Sequence, residues 1–290
     1  MGAAGATGNA LVHRLTTAGI HCRALSRDPD RLRANMNAVN TVDVRYADAT
    51  DPASLRAAFE GASQLFLTMT NSPAQIELET RVIAIAAESG IAHIVKLSAP
   101  TAREDSPVAI ARWHHAIEET LRNSGLEHTI LRPYAFMQKL LLLTPQIAER
   151  GVIVGTMGAA ACNYIDCRDI ADVAAAALTR SEIAGGTYTL TGSATYSYPR
   201  LAALLSRLLD THVRYVDLPP AEFRAQLIER SGFPGWLADH ITEIQQLAVA
   251  YPEHPNDTVA HILGRAPRSL ESFLAEHVNT FRPNVSRILQ

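Results

Sequence analysis

The chain opens on Gly2-Ala-Ala-Gly5-Ala-Thr-Gly8, three glycines at intervals of three, directly ahead of a segment with helical spacing. Glycines so placed let the backbone turn tightly, approach a pyrophosphate and seat a helix closely on a sheet. The open N–H groups at the start of that helix then attract negative charge. Taken alone, an Ala/Gly-rich start reads as no more than a flexible terminus. The segments downstream of the turn support the stronger reading. Ala10, Leu11, Leu15 and Ala18 predict a helix over Thr7–Ala18, closed by Gly19. Strand-like and helix-like segments then alternate: strand His21–Ser26, helix Pro29–Met36, strand Val42–Tyr46, a helix from Asp51-Pro52 to Gly61, and strand Gln64–Thr68. Helix Ala74–Ser89, strand His93–Ser98, helix Val108–Ser124 and strand Thr129–Arg132 continue the series. Such alternation implies right-handed βαβ units and a doubly wound parallel sheet of the Rossmann type. One element is missing. The glycine turn should come after an apolar strand, yet Met1 stands immediately before it. Either the start lies upstream or the sheet lacks its central strand, which would leave a hydrophobic slot.

The second half changes character. Tyr134–Arg150 reads as a helix interrupted near Pro145, Asp169–Thr179 as an alanine-rich helix and Thr187–Thr191 as a β-type run. Helices are expected over Pro199–Asp210, Pro219–Arg230, Leu237–Val249 and Ser269–Phe281, with a short strand at Val213–Val216. The expected division gives residues 1–134 and 151–192 to an NAD(P)-binding domain. Residues 135–150 and 193–290 form a smaller, mostly helical substrate cap. In open α/β sheets ligands bind at the carboxyl ends of the strands, where a cap placed after the core would close.

Composition removes several classes. A hydrophobic fraction of 47% with 19% charged residues is that of an ordinary globular chain, not of a disordered one. Twenty-six basic against 29 acidic residues, with no Lys/Arg block, argue against nucleic acid as a partner. No apolar run approaches the roughly 20 residues of a membrane span, and no signal sequence is visible, so a cytoplasmic protein is expected. Three cysteines without C-x-x-C spacing fit a reducing compartment. No His/Cys cluster reads as a metal site.

The end of the strand His21–Ser26 selects the cofactor. An acid there would bind the ribose 2′-hydroxyl of NAD, whereas an Arg pairs with the 2′-phosphate of NADP. Ser26 and Arg27 arrive first and favour NADP(H) over NAD(H), while Asp28 suits a cap for the Pro29 helix. The plain alternative makes Arg27 a solvated surface charge.

The order and spacing of further motifs resemble the NmrA-like branch of the atypical short-chain dehydrogenase/reductases, a family with quinone, azo-dye and triphenylmethane reductases. The resemblance runs through Ala47-Asp48-Ala-Thr-Asp51, Val95-Lys96-Leu-Ser98, Ala111-Arg-Trp113-His114 and Leu131-Arg-Pro133-Tyr-Ala-Phe136-Met137. It continues in Tyr164-Ile-Asp166-Cys-Arg168-Asp169-Ile-Ala and Leu263-Gly-Arg265-Ala-Pro-Arg268. It implies that Gly2, Gly5, Ala6, Thr7 and Gly8 hold the cofactor with Ser26 and Arg27, and that Asp48 lies near the adenine. It also implies that Thr68 and Met69 line the cofactor, and that Pro133 and Tyr134 sit by the nicotinamide; Ser98, at the carboxyl end of its own expected strand, would lie beside the cofactor.

Departures carry equal weight. None of the eight tyrosines is followed by Lys four residues later, so the Tyr-x-x-x-Lys pair of the alcohol and ketone enzymes is absent. The equivalent helix offers His114 and Glu118, i and i+4 neighbours, so the carboxylate is placed to orient the imidazole. In the alternative, Glu118 pairs with Arg122 on a solvated face and His114 merely packs. Lys96 is the other candidate for catalysis, sharing a strand face with Ile94 and Ser98. A lysine in a parallel strand needs a partner, unless its stem packs while its ammonium reaches solvent. Trp113, Phe136 and Met137 read as walls for a flat substrate, or as core. The expected function is NAD(P)H-dependent hydride transfer to a conjugated aromatic or quinone-like molecule, by a monomer or homodimer. A dinucleotide-sensing regulator without catalysis and a secondary-metabolism enzyme acting on a polycyclic aromatic are the alternatives.

Overall fold

A computed structural model describes residues 1–35 and 42–283. Met36, the expected end of the second helix, lies outside them, as do residues 284–290 of the expected cap. The chain divides into two compact units. The first comprises Met1–Pro133, Cys167–Leu190 and Thr258–Arg265; the second comprises Tyr134–Asp166, Thr191–Asp257 and Ala266–Gln290.

The first unit alternates helix and strand: α1 (Ala6–Thr17), β1 (Arg23–Ser26), α2 (Pro29–Asn35), β2 (Asp43–Tyr46), α3 (Pro52–Phe59), β3 (Gln64–Leu67), α4 (Gln75–Glu88), β4 (His93–Leu97), α5 (Ala109–Arg122) and β5 (Glu127–Pro133). The alanine-rich helix Cys167–Thr179, the strand Thr187–Leu190 and the helix Thr258–Leu263 complete it. Every strand pair is parallel, and β3, β4, β5 and Thr187–Leu190 form one sheet in that order. All five residues of β4 are buried, as a parallel strand covered on both faces requires. Asp51 caps α3 by accepting from the Ala53 amide, with Pro52 at the first position, where a missing N–H costs nothing.

Strands β1 and β2 pair only with each other, in a separate two-stranded sheet. Among the described residues no strand joins β1 to β3. Met1 and Gly2 run beside the end of β3, the Met1 amino group donating to the Phe66 carbonyl at 2.5 Å. The chain therefore enters the glycine turn along β3.

The second unit is less helical than expected. The strand Ala135–Phe136 and a 3-10 segment, Met137–Leu143, precede the helix Thr144–Arg150. Pro145 lacks the N–H that a continuous helix would need, and instead occupies the first turn of a new one. Residues 151–166, expected with the cofactor domain, cluster here because their strands pair here. Val152–Gly155 runs parallel to Arg214–Asp217, and Ala161–Ile165 lies between Thr195–Ser197 and Ala135–Phe136. Tyr198–Leu209, Pro220–Glu229, Gly235–Ala250 and Leu270–Glu276 are the principal later helices. Its core gathers Met137, Ile153, Tyr164, Tyr198, Leu201 and Phe273. No helix among the described residues is long and apolar enough to cross a membrane.

Candidate functional site

The three glycines of the opening turn meet different surroundings. A Cβ on Gly2, whose φ is +84°, would lie 2.2 Å from the Thr68 carbonyl oxygen, and one on Gly8 would lie 2.2 Å from that of Gly2. Both are excluded by backbone. A Cβ on Gly5 would meet only the Gly2 oxygen, at 3.5 Å. Gly5 and Ala6 are exposed, whereas Thr7 and Gly8 are buried. Gly5 stands in extended backbone at the N-cap of α1, and no side chain caps the helix. The turn is thus rigidly packed on its inner side and open on its outer side, at a twelve-residue helix start with free N–H groups. Thr7 Oγ1 is buried without a hydrogen-bond partner. An open backbone cradle with one orphaned hydroxyl fits the pyrophosphate of a dinucleotide.

The carboxyl ends of β1 and β2 lie side by side, the Ala47 amide donating to the Ser26 carbonyl at 3.0 Å. Ser26 Oγ accepts from the Asp28 amide, and Asp28 in turn accepts from the Arg31 amide at the start of α2. This turn leaves Arg27 exposed. Asp48 accepts from the Thr50 amide and hydroxyl, both at 2.8 Å. These two bonds hold its carboxyl below the usual range, and nearby Arg27 adds to the effect. An exposed guanidinium and a carboxylate therefore stand near each other at the carboxyl ends of β1 and β2. Thr68 and Met69 come after β3 half-buried, and Thr68 touches Gly2.

Between β4 and α5 the structure brings together two polar networks. In the first, Lys96 is fully buried, so the reading with its ammonium in solvent is overturned. Its Nζ lies 2.8 Å from Glu79 Oε2 and 3.3 Å from His114 Nδ1, and also donates to the Leu97 carbonyl. Glu79 Oε1 accepts from Gln75 Nε2 at 2.9 Å. In the second, Glu118 is fully buried and accepts from Ser98 Oγ at 2.5 Å and from Arg132 Nε and Nη2 at 2.9 and 2.5 Å. Arg122 Nη2 adds a further bond to it at 2.8 Å. Burial pushes the Glu118 carboxyl up, but Arg132, Ser98 and Arg122 together hold it below its ordinary value. Both Glu118 oxygens are thus engaged by Ser98 and two guanidinium groups. The His114 ring turns its Nδ1 to Lys96, where Glu118 was expected to orient it.

Pro133 is buried at the end of β5, and Trp113 is half-buried on α5. Tyr134, Phe136 and Met137 belong to the second unit. There Tyr134 and Phe136 are half-buried, while Met137 is 1% exposed within the unit's core. Sequence reasoning missed Gln75, Glu79 and Arg132. The signal for the first two was present: Gln75, Glu79, Val82, Ile83 and Ala86 share the buried face of α4, so two polar residues interrupt an apolar stripe. The second unit holds another missed group. Glu253 accepts from the Asn163 amide at 2.5 Å, and burial pushes its carboxyl up to about 7.

Residues 1–274 match the NmrA-like family. The chain is 33% identical over 282 residues to an NAD(P)H azoreductase of Xenophilus azovorans, covering 97% of this chain and 98% of that protein. It is 34% identical over 286 residues to a (4-alkanoyl-5-oxo-2,5-dihydrofuran-3-yl)methyl phosphate reductase of Streptomyces griseus, again covering 97% and 98%. Among solved structures, an NADPH-dependent quinone oxidoreductase of Escherichia coli complexed with NADPH superimposes with a TM-score of 0.81. It is 26% identical, with 100% of this chain and 98% of that one covered.

Proposed function

Because the chain belongs to the NmrA-like family, we propose that it is a nicotinamide-dependent reductase acting on a conjugated aromatic or quinone-like small molecule, with NADPH preferred over NADH. The observation that carries this reading is the likeness, along 97% of the chain, to an enzyme named for NAD(P)H-dependent azo reduction. The azo compound and the oxo-dihydrofuran named in the two relatives share an electron-poor conjugated π system, the kind of acceptor that delocalises the charge brought by a hydride.

In this reading the amides and hydroxyl of Ala6 and Thr7 hold the pyrophosphate, at the point where Gly5 leaves room for it. Ser26 and Arg27 take the 2′-phosphate, and Asp48 lies toward the adenine. Thr68, Met69, Ser98 and Pro133 line the remainder, with Trp113 an aromatic contact for the acceptor. A nicotinamide held there would supply a hydride, two electrons with one hydrogen nucleus, and one proton from solvent would complete the reduction of the acceptor. The side chains orient the acceptor and exclude water, which suits a site without Tyr-x-x-x-Lys. Of the three residues proposed for catalysis, His114 and Lys96 form one network, and Glu118 serves the other as the anchor of Ser98.

The test is direct. Purified protein is mixed with NADPH or NADH and a benzoquinone, an azo dye or no acceptor, and loss of nicotinamide absorbance is monitored. Acceptor-dependent oxidation, faster with NADPH, is expected. Tight NADPH binding by calorimetry without turnover of any acceptor would favour a cofactor-sensing regulator instead.

A further inference from the structure

Of the two lysines in the whole sequence, one is entirely withdrawn from solvent. Its ammonium donates to the Leu97 carbonyl, faces His114 Nδ1 at 3.3 Å and pairs as an ion with Glu79 Oε2 at 2.8 Å, without the alignment of a hydrogen bond. Glu79 is equally buried, and its other oxygen is held by Gln75, itself 1% exposed. An ammonium group carries no lone pair. Facing it across 3.3 Å, His114 Nδ1 can therefore only accept, and the proton of the neutral ring must sit on Nε2. A second proton on Nδ1 would point one N–H at another with a positive charge on each side.

A buried ion pair contributes little net stability, because the desolvation of both charges offsets their attraction. Packing alone gives no reason for lysine at this position of a strand whose other residues are His93, Ile94, Val95 and Leu97. Lys96 and Leu97 are the last residues of β4, so the His114 ring is held at the carboxyl end of a parallel strand, where α/β sheets bind their ligands.

We propose that Lys96, anchored by Glu79, is a positioning residue that fixes His114 as the Nε2–H tautomer, so that His114 meets the acceptor as a neutral hydrogen-bond donor and not as a proton source. This rests on the reductase reading for its role and extends it to a substrate class. The acceptor carries an oxygen or nitrogen on which negative charge accumulates as the hydride arrives, as in a quinone or an azo compound. A donor aimed at that atom stabilises the charge without giving up its proton.

The tautomer is read without cofactor or substrate. Full-length protein labelled with nitrogen-15 is studied by long-range proton–nitrogen correlation at neutral pH, and the His114 signals are identified by their loss in His114→Gln. The expected pattern is a protonated Nε2 and an unprotonated Nδ1. In Lys96→Met the constraint is gone, and Nδ1–H should become populated. Glu79→Gln, which keeps the lysine but removes its anchor, should loosen the preference in the same direction. With NADPH and a quinone, Lys96→Met should lose about tenfold or more in kcat while its NADPH affinity stays within about twofold. A wild-type His114 that is Nδ1-protonated or doubly protonated overturns the proposal, even should Lys96→Met fail to fold. An unchanged tautomer in both variants overturns the part assigned to Lys96. Should no acceptor be turned over, the reductase reading fails and takes the catalytic role with it, whereas the tautomer measurement judges the Lys96–His114 assignment separately.

Discussion

Side chains at the three glycines of the opening turn would fail for different reasons, and substitution separates them. Gly8→Ala forces a methyl group into the Gly2 carbonyl, so we expect lost stability of about 1–3 kcal/mol together with lost NADPH affinity. Gly5 has room for a Cβ on the protein side. Gly5→Val should therefore leave the melting temperature nearly unchanged while calorimetry shows cofactor affinity collapsing. Equal affinity in wild type and Gly5→Val would remove the pyrophosphate from this turn. Arg27 is exposed and beside Asp48, and a charge-assisted contact with a 2′-phosphate is worth about 1.5–3 kcal/mol. Arg27→Ala should weaken NADPH by one to two orders of magnitude and leave NADH nearly untouched; equal losses would show a merely structural arginine. The turn and the strand end were legible in the sequence because local backbone geometry is determined by neighbours in the chain. Lys96 was legible only as a question, since its partners Glu79 and His114 come from two other elements.

Elements were legible where period and punctuation agree. The α4 and α5 stripes and the Asp51-Pro52 start of α3 stand within a residue or two of their expected bounds. The strands Val152–Gly155 and Thr195–Ser197 were not seen, because three or four residues carry too little alternation to stand apart from a loop. The described strands of the first unit fall in two sheets, β1–β2 and the four-stranded sheet that begins at β3. The pairing of α5 with β5 carries its own test. Glu118 joins the two elements through Arg132 and reaches β4 through Ser98. Glu118→Ala would leave the Arg132 guanidinium without its carboxylate, so a loss of about 3 kcal/mol in unfolding free energy is expected. The cost should appear in denaturant midpoint more than in kcat. A variant with wild-type stability and a hundredfold lower kcat would instead make Glu118 a participant in the chemistry.

At the scale of the molecule, two half-buried groups of the second unit oppose each other in their effect on stability. Burial raises Glu253 to about 7 from an ordinary 4.5, so its contribution is full below pH 4.5 and is lost as pH rises through 7. Burial, with Lys139 nearby, lowers His240 to about 4 from 6.5, so its contribution is full above pH 6.5 and is lost as pH falls through 4. Between those limits the folded chain holds a proton on Glu253 and none on His240, whereas the unfolded chain holds the reverse. The two proton counts match, and the pair together adds no slope to stability against pH. Removing either member exposes the other. Glu253→Gln should become more stable, relative to wild type, as pH rises from 4.5 to 6.5, by up to about 1.4 kcal/mol per pH unit. His240→Leu should show the opposite slope over the same range, and the double variant should again run parallel to wild type. Taking differences from wild type removes the contribution of His93, which burial also lowers. Urea unfolding at half-unit pH intervals measures all four proteins. Parallel curves for Glu253→Gln and wild type would mean that Glu253 titrates at its ordinary value and is not desolvated in the folded chain.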